Sequence, residues 1–382
     1  MRKIFCLSII LAMVSSSGLA ADAIKIGLLG PMTGVWSNTG KEMKLVVELL
    51  AEDFNSRGGV LGRKIEIVTL DDEGTPQGAG QAAKALAKQS VTAVIGSLTS
   101  SATEASQDIF HKAKIIQISN ASTAVGLTEK NLKYFFRTCP RDDEQSRVIV
   151  RTIRKMNLKK LAILYDNSAS YAVGLAHEIR ERARRNNIGI VFDGSLIPNQ
   201  TNYLDITKRI EAVHPDALFY AGYYQEAAQL LLQKRASGWN VVFIGGDGAN
   251  NPNLVSIAGK EAAEGFYFVS PPLPGELTTE YAKAFLKAFK DKHGFIPHSI
   301  DSILAGDAFR VIVNAIRQTE TTDPDAIADY LHSRFFDASG LTGHINFDDK
   351  GDRLNDLYGV YRVDAEGRFV VQRMFQHGRI VK

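Results

Sequence analysis

Ala93-Val94-Ile95-Gly96-Ser97-Leu98-Thr99-Ser100-Ser101 is the stretch that decides the fold, and Ala102-Thr103-Glu104-Ala105 follows it. A short, wholly apolar run reads as a strand buried on both faces. A glycine and four hydroxyl residues interrupt it, and an Ala- and Glu-rich helical pattern begins. Strand, small-residue loop and helix together form half of a βαβ unit. The helix start offers unbonded N–H groups and the positive end of a dipole, which suit an anion. Ser97, Thr99 and Ser100 add hydroxyl donors, and the absence of Lys, Arg or His in the loop suits a carboxylate. The same residues equally suit plain helix capping.

The pattern repeats outward from this point. Strands are expected at 24–29, 64–70, 93–95, 115–118 and 134–137, with helices at 41–55, 77–88 and 103–112 between them. A second series has strands at 161–165, 188–194, 217–221, 241–244 and 265–269, and helices at 171–185, 203–213, 225–237 and 253–257. Apolar strands alternating with helices mean parallel sheets covered on both faces. The fold class is therefore α/β, with two doubly wound, Rossmann-like lobes. The tail breaks the alternation, with helices at 279–292, 299–317 and 324–333 and then strands at 343–347, 357–363 and 368–375. Pro271-Pro272-Leu273-Pro274-Gly275 reads as a linker.

The chain has 382 residues, which suits two domains, each able to bury its own core. Arg2 and Lys3, an apolar run from Ile4 to Val14 and a small-residue segment to Ala21 form a secretory leader, cleaved near Ala20 or Ala21. Residues 1–21 are thus expected to be removed and the mature chain to be exported. Removing Cys6 with the leader leaves Cys139 alone, read as a small buried residue, and no disulfide. Charge is nearly balanced, with 45 Lys and Arg against 42 Asp and Glu, so neither nucleic acid nor an anionic membrane is implied.

Catalytic signatures are missing. There is no GxxxxGK[ST], GxGxxG or GxSxG, and the eight histidines lack metal-ligand spacing. No enzyme activity, metal or cofactor is expected. Two loops complement the first: Ser119-Asn120-Ala121-Ser122-Thr123, again uncharged, and Gly245-Gly246-Asp247-Gly248 in the second series. Ligands of such sheets lie beyond the carboxyl ends of the strands. Neutral donors from the first lobe would hold a carboxylate while Asp247 holds an ammonium. Trp36, Tyr171, Tyr223 and Tyr224 stand near these loops and are candidates for the wall of a side-chain pocket.

The mature chain resembles, over about its whole length, the periplasmic branched-chain amino-acid-binding proteins of ABC transporters, which are type I periplasmic binding proteins. The resemblance is carried by IKIGLLGPMTG, FNSRGGVLGRKIEIVTLDDEGTP, VIGSLTSSAT, FRTCPRDDEQ, YAVGLA, YAGYYQEAAQLLLQKRASG and INFDDKGD, in that order. It implies that the loops matching Leu98–Ser101 and Ala121–Thr123 hold a ligand carboxylate, with Ser100, Ala121 and Thr123 facing it, that Tyr223 and Asp247 face its ammonium, and that Tyr171 covers the site, with Trp36 near the side chain. It implies a three-crossing hinge near Pro140, Pro271 and Asp349, giving lobe 1 as 22–140 with 272–349 and lobe 2 as 141–271 with 350–382. It implies a periplasmic monomer that captures a branched-chain or similar apolar amino acid and delivers it to a membrane ABC permease. Departures are Thr39 in place of a tyrosine, the absence of a disulfide some relatives have near Gly74 and Thr99, and no aromatic near Ser299. They leave open an amide, urea or aromatic carboxylate as ligand, a sensory role without transport, and a secreted hydrolase using Ser100 or Cys139.

Overall fold

The computed structural model describes residues 22–333, 338–354, 357–376 and 379–381; the leader expected at residues 1–21 lies outside them. The first lobe is built on β1 (Ile24–Gly30), β2 (Ile65–Asp71), β3 (Ala93–Ile95), β4 (Ile116–Ser119) and β5 (Phe135–Arg137). They pair in parallel in the order β2-β1-β3-β4-β5. The second lobe repeats this with β6 (Lys160–Asp166), β7 (Gly189–Leu196), β8 (Ala217–Ala221), β9 (Val242–Gly245) and β10 (Tyr267–Ser270), in the order β7-β6-β8-β9-β10. After a small hairpin of β11 (Ala338–Gly340) and β12 (Gly343–Ile345), the chain adds β13 (Leu357–Val363), β14 (Phe369–Gln376) and β15 (Arg379–Ile380) antiparallel to the edge of the second sheet.

Continuous apolar strands are buried on both faces, as their composition requires. In β6, Leu161 and Ile163 pack with Ile149 and Leu175 on one side, while Ala162 and Leu164 pack with Leu230 and Leu231 on the other. In the first lobe, Met43, Val46 and Leu50 of the helix Ser37–Ser56 share a core with Ile303, Phe309 and Ile312 of the helix Ile300–Thr319. The tail helices thus return to the first lobe. The longest helix to escape sequence reading is Asp142–Lys155, because seven charged residues obscure the apolar stripe Val148, Ile149 and Ile153; the single turns Gly126–Glu129 and Lys260–Ala263 escaped it too.

Both sheets have the 2-1-3-4-5 order, so each has its switch point where ligands of open sheets bind. The carboxyl-end loops of β1, β3 and β4 face those of β6, β8, β9 and β10 across a cleft. The turn after β3 requires glycine. Gly96 has φ +118°, and a Cβ there would stand 1.9 Å from the Leu29 carbonyl oxygen. Gly96→Ala is expected to cost on the order of 3 kcal/mol of stability, read as a shifted denaturation midpoint. An unchanged midpoint would contradict it.

At the first passage between lobes a buried ion network ties the chain down. Arg137 is wholly buried; its Nη1 donates to the carbonyls of Ser122 (3.0 Å) and Ala124 (2.9 Å), Nη2 to Thr128 Oγ1 (2.7 Å) and Nε to Asp352. Arg141 also pairs with Asp352, and the Arg137 N–H bonds the Gly351 carbonyl at 3.0 Å. Burial opposes the Asp352 carboxylate, but the two guanidinium groups outweigh it and hold its pKa below the ordinary value. The segment between β12 and β13 is thereby locked to the chain leaving β5.

Candidate ligand site between the lobes

The eight residues that the resemblance assigns to the site, Trp36, Leu98, Ser100, Ala121, Thr123, Tyr171, Tyr223 and Asp247, line one cavity in the cleft, whereas Tyr224, the other aromatic candidate, does not. Its empty space is about 660 Å³, including the mouth open to solvent. Thr39 and Cys139 line it as well, and Cys139 is buried as expected.

The first-lobe wall is two loops fastened together. Thr103 Oγ1 meets Ser122 Oγ at 2.7 Å and accepts the Ser97 N–H at 3.1 Å. Ser119 and Ser122 hydroxyls donate to the Ser97 carbonyl at 3.3 and 3.2 Å. Capping and anion reception coexist here. The helix spans Ser100–Lys112, and Thr99 Oγ1 accepts the Ala102 N–H at 3.4 Å, which leaves the Ser100 and Ser101 N–H groups at the positive helix end. Ser100 Oγ accepts the Ala124 N–H at 3.3 Å, so its own proton is available to the cavity. Ser97, offered above as a donor, is instead wholly buried behind the wall and does not line the cavity. The Thr123 carbonyl accepts the Asp142 N–H at 3.0 Å, which fixes this loop to the start of the helix Asp142–Lys155. Where some relatives are expected to have a disulfide, Thr99 Oγ1 donates to the Gly74 carbonyl at 3.3 Å.

The second-lobe wall is set by glycines. Cβ atoms at Gly246 and Gly248 would lie 2.5 Å from the Tyr171 hydroxyl and 2.7 Å from the Gly222 carbonyl, so the loop packs directly on these groups. Gln145 Oε1 accepts the Asp247 N–H at 2.9 Å, and the Tyr171 hydroxyl accepts the Gly248 N–H at 3.1 Å. The Tyr171 and Gln145 side chains also hydrogen-bond the Asp247 carboxylate. Tyr171 stacks on Tyr223 at 5.5 Å.

The lobes touch at the mouth. Trp36, from the first lobe, meets Tyr223 and Tyr224 edge-on at 5.0 and 5.1 Å. Ser101 Oγ lies 3.0 Å from Ser170 Oγ, and the Tyr224 hydroxyl donates to the Val35 carbonyl at 3.1 Å. The cleft is therefore closed.

Electrostatically the cavity is acidic. No Lys, Arg or His is among its lining residues, whereas Asp247 and Asp301 both are. Burial pushes Asp247 up to about 6, against hydrogen bonds from Tyr171 and Gln145. Burial and the charge of Asp247 push Asp301 up to about 7. Asp142, wholly buried beneath the site, is raised well above its ordinary value by burial and by Asp247. Sequence reading missed Asp142, Gln145 and Asp301. Asp142 and Gln145 lie in the helix that sequence reading also missed. Asp301, in the first turn of a helix, has the appearance of an ordinary dipole-facing acid.

A family model described as periplasmic binding protein matches residues 23–368. The Leu/Ile/Val-binding protein of Escherichia coli K12 is 29% identical over 358 residues, covering 94% of this chain and 95% of its own. A leucine-, isoleucine-, valine-, threonine- and alanine-binding protein of Pseudomonas aeruginosa is 30% identical over 91% of each chain. Among solved structures, a branched-chain amino acid transporter substrate binding protein from Streptococcus pneumoniae, in complex with isoleucine, is 30% identical with a TM-score of 0.82, covering 94% of this chain and 99% of its own. A leucine binding protein from Thermotoga maritima is 27% identical with a TM-score of 0.84, covering 92% and 99%. With two doubly wound lobes closing on a shared cavity, and a family match across nearly its whole length, the chain belongs to the periplasmic binding proteins.

Proposed function

We propose that this protein is an extracytoplasmic solute-binding protein that captures an amino acid, of the branched-chain class or similar to it, and delivers it to a membrane ABC permease. The observation that carries the reading is the opposition across one cavity of neutral donors at Ser100, Ala121 and Thr123 and the carboxylate of Asp247. The first group holds the ligand carboxylate; Asp247, with Tyr223 beside it, holds the ammonium, and Tyr171, Leu98 and Trp36 enclose the rest. Each charge-assisted hydrogen bond contributes about 1.5–3 kcal/mol. A few of them with an enclosed side chain supply the roughly 8 kcal/mol of micromolar binding. Both lobes contribute contacts, so occupancy favours the closed form. The lobes that move are 22–140 with 272–349 and 141–271 with 350–382. The protein acts in the periplasm as a monomer, after loss of residues 1–21, and it performs no chemistry on its ligand. Calorimetric titration with the twenty amino acids tests this: one-to-one micromolar binding of at least one amino acid is expected, and binding of none would refute it.

The raised pKa values carry a pH prediction. An ammonium favours the ionised Asp247, so binding releases protons where the empty site is protonated. Affinity is expected to fall as pH drops from 7 to 5, approaching tenfold per unit below pH 6. The empty protein responds in the opposite sense. Its folded acids hold protons that the unfolded chain releases between about pH 4 and 7, so these groups lower stability as pH rises through that window. Thermal unfolding of the empty and loaded forms at pH 5 and 7.5 checks both signs.

A further inference from the structure

We infer that the cavity selects an amino acid whose short side chain ends in a hydrogen-bond donor, an ammonium fitting best, and that Asp301 is the residue that receives this second donor. The inference rests on the reading of the cleft as an amino-acid site and names the ligand's side chain.

Asp301 enters the cavity from the first lobe, at the start of the helix Ile300–Thr319, whereas Asp247 enters from the second. Its position at a helix start does not account for it. Ser299 Oγ accepts the Asp301 N–H at 3.1 Å, and the buried Glu42 carboxylate accepts the N–H groups of His298 (3.0 Å) and Ser299 (2.8 Å). Other groups therefore cap this helix. Among the described residues the Asp301 carboxylate takes one side-chain hydrogen bond, from Ser299 Oγ at 3.2 Å to Oδ2. Asp301 itself lines the cavity.

An α-amino acid brings one carboxylate and one ammonium. Asp247, held by Tyr171 and Gln145, accounts for the ammonium. With an aliphatic side chain, Asp301 would then be enclosed against hydrocarbon with no cation on the cavity wall to offset it. An enclosed carboxylate without a partner is costly, and it is relieved by a donor from the ligand. A charged donor relieves it most. Leu98, Ile300 and Leu304 line the same cavity and supply an apolar wall for a short methylene stem. The site is thus complementary to a diamino acid more than to a purely aliphatic one, and Asp301 discriminates by what it would leave unpaired.

The test is calorimetric titration of the mature protein with two near-isosteric pairs, 2,4-diaminobutyrate against norvaline and ornithine against norleucine. At least a tenfold preference for one diamino acid over its aliphatic counterpart is expected. Asp301→Asn should abolish that preference, weakening binding of the diamino acids and tightening that of norvaline and norleucine. Asp301→Leu should invert it. Thermal unfolding confirms that the variants fold, with midpoints expected at or above that of the parent. Equal or tighter binding of the aliphatic members by the parent protein overturns the inference, as does an Asp301→Asn variant that weakens both members of a pair equally. In either case amino acids still bind, so the reading of the cleft survives. Failure of every amino acid to bind overturns both.

Discussion

Asp247→Ala is expected to weaken amino-acid binding by about 2–5 kcal/mol, or roughly thirty-fold to several thousand-fold in Kd, because it leaves a ligand ammonium enclosed without its counter-charge. The loss is large because the replacement leaves a cavity wall with no anion from the second lobe. Tyr171 and Gln145 remain, but they are neutral. Asp247→Asn keeps the shape and is expected to lose most of the same affinity. It should also raise the melting temperature of the empty protein, since burial disfavours the charge that the variant removes. Calorimetry and thermal unfolding of the two variants separate the contributions. Binding within threefold of the parent in both would remove Asp247 from the site.

Arg137→Ala should cost about 3 kcal/mol of folding stability, since it removes one of the two guanidinium groups that offset the buried Asp352 and leaves Arg141 as the other. Asp352 is almost wholly enclosed, and the variant also strips donors from the carbonyls of Ser122 and Ala124. Those carbonyls belong to the loop that carries Thr123, so ligand affinity should fall with stability. Arg137→Lys keeps the charge but not the forked geometry, and an intermediate loss is expected. The pH sign is that of a depressed carboxylate. The Asp352 contribution is present above its unfolded pKa near 4 and is lost as pH falls further, so the Arg137→Ala variant should show less acid-dependent destabilisation than the parent. Urea denaturation at pH 7 and pH 3.5 measures both. A loss below 1 kcal/mol at pH 7 would refute the structural role.

The strands were legible because a strand covered on both faces must be apolar throughout, as in Ala93-Val94-Ile95 and Ala217–Ala221. The loops that carry Ser100 and Asp247 were legible because their position after such strands is a consequence of parallel topology. The helix Asp142–Lys155 was not, since its charged side chains find partners distant in sequence, such as Arg154 with Asn186 Oδ1 and Arg151 with the Phe375 ring.

Sequence alone determined the two α/β lobes and the loops at their carboxyl ends, which follow from local composition and from the order of elements; the family resemblance added which eight residues of those loops line the cleft. Tertiary structure alone decided what each polar group is free to do. It turned Ser97 away from the cavity and left a proton of Ser100 available. It also placed Asp301, 54 positions after Asp247 in the chain, on the same acidic cavity. Hydrogen-bond partners and burial arise from contacts between distant segments, and these set whether an aspartate is a helix cap or a ligand group.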